Sequence, residues 1–471
     1  MSKLKTKNRK VHFIGIGGIG VSALARYYLE KGYKISGSDL ISSEITNALK
    51  EKGAKLLIGK QKAKNLLRDV NLVIYSPAVP QNNPELKKAK KLKIKCLSYP
   101  QALGELTKKH FTIAIAGSHG KSTVAAMIGL LLTKAGFDPT VIIGTKLREF
   151  GDSNCRAGKS KYLIIEADEH FASFLNYWPK IIVLTTIETD HLDYYKNLKN
   201  IIKAFKKFVS HLPKNGILIA NKDQENVFPI FSTNVKNARW YSLKNKESEK
   251  LRKILKIPGE HNVSNALATL TVARVLEIPD KISLKAISEY RGSWRRFDII
   301  EANLRELKRG KTRKITIIND YAHHPTQVRV TLKAAREKFP KRKIFCIFQP
   351  HQYLRTYYLF DDFVKALGEA PVDKLIITDI YSVAGREKRE IKRKVSSEKL
   401  VKEIKKKLLH KKATVASDLC KVKYIPSIGK VSNYLKKELE GGEVVIVMGA
   451  GDIYFKFNQY FDKIKKSKGR I

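Results

Sequence analysis

Short apolar runs alternate with stretches of helical periodicity along most of the chain. Val11–Ile14, Lys34–Gly37 and Leu72–Tyr75 read as strands, with a helix over Val21–Lys31 between the first two. Phe111–Ile115 opens a second series, followed by a helix over Val124–Ala135 and strands at Tyr162–Ile165 and Ile181–Thr185. A third series holds Ile315–Ile318, Ile344–Phe348, Leu375–Thr378 and Val444–Val447, with helix-length segments between them. Strands that alternate with helices predict parallel sheets covered by helices, an α/β fold. At 471 residues the chain exceeds what one core holds. Motif order divides it at 1–107, 108–292 and 293–471.

Composition narrows the class. The 43% of hydrophobic residues is ordinary for a folded soluble protein. No run of about 18 apolar residues occurs, so no membrane insertion is expected. The basic start MSKLKTKNRK leads into VHFIGIGG, which is too short and glycine-rich for a signal peptide. Cys96, Cys155, Cys346 and Cys420 lie far apart with no CxxC pair, which argues against zinc or disulfides and fits a reducing cytoplasm. The net charge of +48 raises a nucleic-acid reading. Yet the lysines are spread from KAKKLKIK to KKKLLHKK, and no aromatic residues interleave with a basic stripe. The charge reads as solvated lysine faces, with a share that favours phosphate-bearing substrates. No specific nucleic acid is expected as a partner.

Candidate chemistry concentrates at strand ends. Ala116-Gly117-Ser118-His119-Gly120-Lys121-Ser122-Thr123 follows a strand and precedes a helix. Glycines let backbone N–H groups close around an anion, and the helix N-terminus adds positive charge. Lys121 would reach terminal phosphates and the Ser122 hydroxyl would ligate Mg²⁺. The loop is the short GxxGKS form, with Ile115 where the longer pattern carries Gly. Gly15-Ile16-Gly17-Gly18-Ile19-Gly20 also joins a strand to a helix, with Asp39 about 20 residues on. That pattern suits a diphosphate, whether of NAD, FAD or another nucleotide.

Glu166-Ala167-Asp168-Glu169 and Thr189-Asp190-His191-Leu192-Asp193 each end a strand beside the phosphate loop, where they would hold Mg²⁺ or cap the next helix. Asn262 and Asn265 lie three apart at a helix start, spaced to read an adenine edge or simply to cap. Asn319-Asp320-Tyr321-Ala322-His323-His324-Pro325 and Gln349-Pro350-His351-Gln352-Tyr353-Leu354-Arg355-Thr356 follow strands of the third series. Asp320 there would suit a ribose, and the imidazoles with Arg355 would suit carboxylates. Gly292-Ser293-Trp294-Arg295-Arg296-Phe297 adds guanidinium groups.

Taken in order, GIGGIG, SDL, SPAVPQNNPE, GSHGKST, EADE, TDHLDYY, PGEHNVSNALA, RRFD, DYAHHPT, FQPHQYLRT, VSSE and MGAGDIY resemble the Mur ligase family across Gly15–Tyr454. The resemblance implies a Rossmann-like first domain for the UDP sugar, a central P-loop ATPase domain, and a Rossmann-like third domain that docks ATP and the amino acid. It implies ATP-dependent addition of L-alanine to UDP-N-acetylmuramate through an acyl phosphate, with ATP and Mg²⁺ as cofactors, in a cytoplasmic monomer or weak dimer. Lys121, His191, His323, His351 and Arg355 would be catalytic. Gly117–Thr123, Asn262, Asn265, Arg296 and Asp320 would hold ATP, and Ser122, Glu166 and His191 would hold Mg²⁺. Gly15, Gly17, Gly18, Asp39 and Tyr321 would hold substrate.

The chain departs from the family in four places. Ser122-Thr123 stands where Thr-Thr is usual, and Gln352 replaces an Arg at the amino-acid end. The stretch between Tyr241 and Pro258 is short, which predicts a central domain without an antiparallel flap. Lys206 aligns with a lysine that relatives adding other amino acids carry carbamylated. The competing readings are a ligase that reattaches a recovered peptide to UDP-N-acetylmuramate, a nucleic-acid-binding ATPase, and an inactive nucleotide-binding homologue.

Overall fold

A computed structural model describes residues 9–232, 236–305, 312–383, 387, 389–409 and 421–461. Cys420 and the first eight residues of the basic start lie outside them. The described strands form three sheets, each mostly parallel, as the alternation of strands and helices predicts.

The first sheet comprises β1 (Lys10–Ile14), β2 (Lys34–Asp39), β3 (Lys55–Ile58), β4 (Leu72–Tyr75) and β5 (Lys95–Ser98). Its order is β3-β2-β1-β4-β5 and every pairing is parallel. The strand order reverses beside β1, so the glycine loop after β1 opens at a switch point, where open sheets bind ligands. β3 and β5 are sheet edges whose residues are half-exposed or exposed. Their apolar signal is correspondingly weak.

The second sheet comprises β6 (Phe111–Ala116), β7 (Thr140–Leu147), β8 (Ser153–Arg156), β9 (Tyr162–Ala167), β10 (Ile181–Leu184), β11 (Ile217–Asn221) and β12 (Ala238–Tyr241). The order is β12-β11-β10-β6-β9-β7-β8, with only the β7–β8 pair antiparallel. Ala116 pairs with Ala167 on one side and Leu184 on the other, so the loops after β6, β9 and β10 leave one edge together. The helix Lys121–Lys134 is buried continuously from Ser122 to Leu132, because it packs on β7 and β9 and is covered by the helix Asp280–Glu289. The short stretch after Tyr241 holds the helix Glu247–Ile254 and no strand among the described residues.

The third sheet comprises β13 (Asp298–Arg305), β14 (Thr312–Asp320), β15 (Ile344–Phe348), β16 (Lys374–Ile377), β17 (Val422–Tyr424) and β18 (Val444–Met448). Its order is β13-β14-β18-β15-β16-β17, antiparallel only at β13–β14. Ile344, Cys346 and Phe348 face one core and Phe345 and Ile347 the other. Period-two alternation thus buries both faces and gives the continuous apolar run seen in the sequence. Asp320, Met448 and Phe348 end in register, so three loops emerge side by side.

The chain divides into two compact units. One contains the first two sheets, through Thr189, Asn197–Leu255 and Ser264–Tyr290. The other contains the third sheet, from Arg291 on, with Asp190–Lys196 and Lys256–Val263. No helix among the described residues is long and apolar enough to cross a membrane.

Candidate active site

The phosphate loop is built from hydrogen bonds to the end of β10. Ser118 N–H donates to Thr186 O at 2.7 Å, His119 N–H to Thr186 Oγ1 at 3.0 Å, and Thr185 Oγ1 to His119 O at 2.5 Å. Gly117 (φ +132) leaves no room for a Cβ beside Thr185, and Gly120 sits at φ +85 directly before the helix. Both positions need the freedom of glycine. The Lys121 ammonium donates to Gly117 O at 2.6 Å and to Glu169 Oε2 at 2.8 Å. Burial alone would pull this ammonium down, but Glu169, with Asp168 and Glu166, outweighs it and holds it above its ordinary value. Ser122 Oγ donates to Glu166 Oε2 at 2.9 Å, while Gly144 N–H donates to Glu166 Oε1 at 2.5 Å. A hydroxyl and a carboxylate here form a hard oxygen donor set of the kind Mg²⁺ takes.

The glycine loop after β1 is shaped by β2. Gly15 and Ile16 N–H donate to Ser38 O at 2.9 and 3.1 Å, and Gly17 N–H donates to Asp39 Oδ2 at 2.7 Å. Asp39 therefore holds the loop itself. Gly18 is the N-cap of the helix Ile19–Glu30, with no side-chain cap. Its first turn keeps the N–H groups that bind anions at helix starts.

In the unit of the third sheet, a guanidinium, a carboxylate and two imidazoles converge. Arg355 donates from Nε to Asp190 Oδ1 at 3.1 Å and from Nη2 to Asp190 Oδ2 at 3.4 Å, and both side chains are buried. Nη1 donates to His351 Nδ1 at 3.3 Å. His351 stacks on Tyr381 at 5.4 Å, and its ring centre lies 5.9 Å from that of His323. Burial would raise the Asp190 carboxyl. Arg355, followed by His191, His324 and His323, overrides that and holds it well below the usual carboxylate range. Burial first, then Arg355 and His351, pushes the His323 imidazole well below its usual value. Asp320 accepts from Phe297 N–H and Ala322 N–H, both at 2.8 Å, and burial raises its carboxyl. Arg295 and Arg296 lie over Tyr321, at 4.7 and 4.9 Å.

Three family models match the chain in order. They are the Mur ligase family, catalytic domain, over residues 10–111, the Mur ligase middle domain over 115–273, and the Mur ligase, glutamate ligase domain, over 304–451. Together they span most of the described residues. The chain belongs to the Mur ligase family. Among its relatives, the UDP-N-acetylmuramate–L-alanine ligase of Acetivibrio thermocellus is 39% identical over 98% of this chain and 97% of its own length. The enzyme of the same name from Clostridium acetobutylicum is 39% identical over 96% of this chain and 97% of its own. The crystal structure of the UDP-N-acetylmuramate–alanine ligase of Thermotoga maritima superposes with a TM-score of 0.75 at 25% identity, covering 96% of this chain and 98% of that one. A murein peptide ligase from Psychrobacter arcticus shares the fold, with a TM-score of 0.67 at 20% identity. This Mur ligase is therefore an ATP-dependent, amide-forming ligase of three α/β domains.

The expected residues of this Mur ligase fall into separate groups. Gly117–Thr123 and Glu166 meet at one edge of the second sheet, and Gly120 and Asn265 are neighbours there. Gly15, Gly17, Gly18 and Asp39 meet at the edge of the first sheet. His323, His351, Arg355, Tyr321, Arg296 and Asp320 gather on the third. His191 (φ +52) groups with the third sheet, through Asp190–Lys196. So does Asn262, whose amide donates to Pro258 O at 2.7 Å and ties down the helix start. Lys206 is half-buried on the helix Leu198–Val209. Gln352 has φ +71, and its N–H donates to Tyr381 O at 2.9 Å, so the residue shapes the turn into the helix Tyr353–Tyr358.

Three acidic residues have partners that the sequence did not identify. Glu169 holds Lys121, Asp190 holds Arg355, and Glu188 donates its N–H to Ser118 Oγ at 2.9 Å while its carboxylate meets His119 Nε2 at 3.3 Å. Each follows a strand end, and that position was the available signal.

Proposed function

We propose that this Mur ligase joins L-alanine to UDP-N-acetylmuramate, with ATP first phosphorylating the sugar's carboxylate and the amine then displacing phosphate. The observation that carries this reading is the match to L-alanine-adding ligases along 95–98% of the chain at 37–39% identity. The protein acts in the cytoplasm, as a monomer or weak dimer, in making peptidoglycan precursor.

The backbone of Gly117–Thr123 cradles phosphate, and Lys121 neutralises the transferring phosphoryl group. For Lys121 this means trading Glu169 for phosphate oxygens. Ser122 and Glu166 hold Mg²⁺, with His191 in the ligand role the family implies. When bound, the ion supplies charge neutralisation at the phosphates. Asn265, with Asn262, faces adenine, while Arg296 and Asp320 contact ATP. Gly15, Gly17 and Gly18 meet the UDP diphosphate on a loop that Asp39 shapes, and Tyr321 meets substrate. His323, His351 and Arg355 serve the amino-acid end.

The test is phosphate release from ATP with Mg²⁺ and UDP-N-acetylmuramate across single amino acids and an L-alanine-containing tripeptide. Release that depends on L-alanine is expected. Release only with the tripeptide would instead identify a peptide-reattaching ligase. No release from folded protein that still binds ATP would overturn the ligase assignment.

A further inference from the structure

Three histidines stand on the loops after β14 and β15, and their Nδ1 partners assign their protons differently. Arg355 has only N–H donors, so its contact at 3.3 Å makes His351 Nδ1 an acceptor and places the His351 proton on Nε2. Thr326 N–H donates to His324 Nδ1 at 3.3 Å, which places that proton on Nε2 as well and makes His324 the cap of the helix Pro325–Lys338. His323 is the reverse. Its Nδ1 lies 2.8 Å from Tyr321 O, and a carbonyl oxygen only accepts, so Nδ1 carries the proton and Nε2 carries the lone pair. Among the described residues of these loops, His323 alone places its ring lone pair on Nε2. Its ring is half-buried and lies beside His351.

The amide-forming step needs such a group. An amino acid arrives as an ammonium, which has no lone pair to attack with. We propose that His323 is the general base of that step, taking the ammonium proton at Nε2. This rests on the ligase reading above. The freed amine nitrogen bonds to the carbonyl carbon of the acyl phosphate, the carbon–oxygen bond to phosphate breaks, and phosphate leaves with the electron pair. The second amine proton departs with the phosphate, and the proton on His323 returns to solvent.

The groups facing His323 keep it unprotonated at rest. Burial, Arg355 and His351 disfavour its protonated form, while Asp190 and the Tyr321 carbonyl favour it. The imidazole is therefore neutral and able to accept in the resting enzyme. Anionic substrate groups near Arg355 would raise its basicity as they bind. Asp190 fixes Arg355, and Arg355 fixes the His351 tautomer, so His351 is held as an N–H donor and does not compete for the proton.

The test compares two nucleophiles in the full-length enzyme. Hydroxylamine is largely neutral at pH 7, so it traps an acyl phosphate without a base. In His323→Gln, alanine-dependent phosphate release should fall in kcat by about 10²- to 10³-fold, while hydroxylamine-dependent hydroxamate formation stays within a few-fold of wild type. The residual alanine rate should climb with pH as free amine accumulates. Imidazole should restore part of it in His323→Ala. Equal losses with both nucleophiles would overturn the proposal, as would an unchanged kcat with a raised KM for alanine. No alanine-dependent release from the wild type would overturn the ligase reading itself. Thermal unfolding and ATP binding of each variant separate loss of fold from loss of the base.

Discussion

Lys121 lies between the carbonyl of its own loop and a carboxylate, Glu169, that is almost wholly buried. Removing the ammonium does two things at once. Phosphate release by Lys121→Met should fall by about 10²- to 10³-fold, since one electrostatic group at the transferring phosphoryl is gone. The same change takes the cation from a buried carboxylate, at a cost of about 3 kcal/mol. Lys121→Met/Glu169→Gln should therefore regain thermal stability without regaining activity, and a double variant as unstable as the single one would contradict this. Gly120→Ala tests the loop's shape. At φ +85 an alanine costs about 1–2 kcal/mol, and its Cβ would meet Asn265 Oδ1 at 2.6 Å. A raised KM for ATP is expected in steady-state assays. The sequence made Gly117, Gly120, Lys121 and Ser122 legible because the pattern itself encodes the loop. It left Glu169 and Asp190 without partners, since nothing in sequence spacing pairs Glu169 with a lysine 48 residues away, or Asp190 with an arginine 165 residues away.

At the scale of elements, the glycine loop of the first sheet rests on a buried network. His12 on β1 meets Glu85 Oε2 at 3.0 Å and Ser36 Oγ at 2.9 Å, and Ser38 Oγ and Asn65 Nδ2 each donate to Glu85 at 2.7 Å. Ser38 in turn accepts the Gly15 and Ile16 N–H groups through its carbonyl. Burial would raise the Glu85 carboxyl, but hydrogen bonds from His12, Ser38 and Asn65 outweigh it and leave it below its ordinary value. A carboxylate depressed on folding adds stability above its unfolded pKa of about 4.3 and loses it as pH falls through the folded value. Glu85→Gln should be less stable than wild type by roughly 1–3 kcal/mol at pH 7, with the gap closing below about pH 4. Thermal unfolding from neutral to acid pH checks this, and a gap that widens in acid would contradict it. The strands β1, β4, β6, β9 and β15 were readable because they are buried on both faces. The edge strands β3 and β5 were not, since pairing on one side only leaves Lys55 and Leu57 exposed and the apolar pattern broken.

Across the whole molecule, the +48 charge is the property furthest from any one site. If it reflects solvated lysine faces, retention on DNA should lack sequence preference and fall by roughly 10³-fold or more between about 50 and 200 mM salt. Alanine-dependent phosphate release should change only a few-fold over the same range. Filter binding beside the phosphate assay decides this, and sequence-preferring binding at the higher salt would assign the charge a function. The sequence by itself determined the α/β class, the family and the chemistry-bearing segments, because periodicity, turn residues and motif order are local properties of the chain. Tertiary structure decided which Nδ1 faces a carbonyl and which faces a guanidinium, and hence that His323 and His351 differ. It also decided that Asp190–Lys196 and Lys256–Val263 join the third sheet's unit. Such pairings arise only when distant strand ends are brought side by side in register, and no local pattern records them.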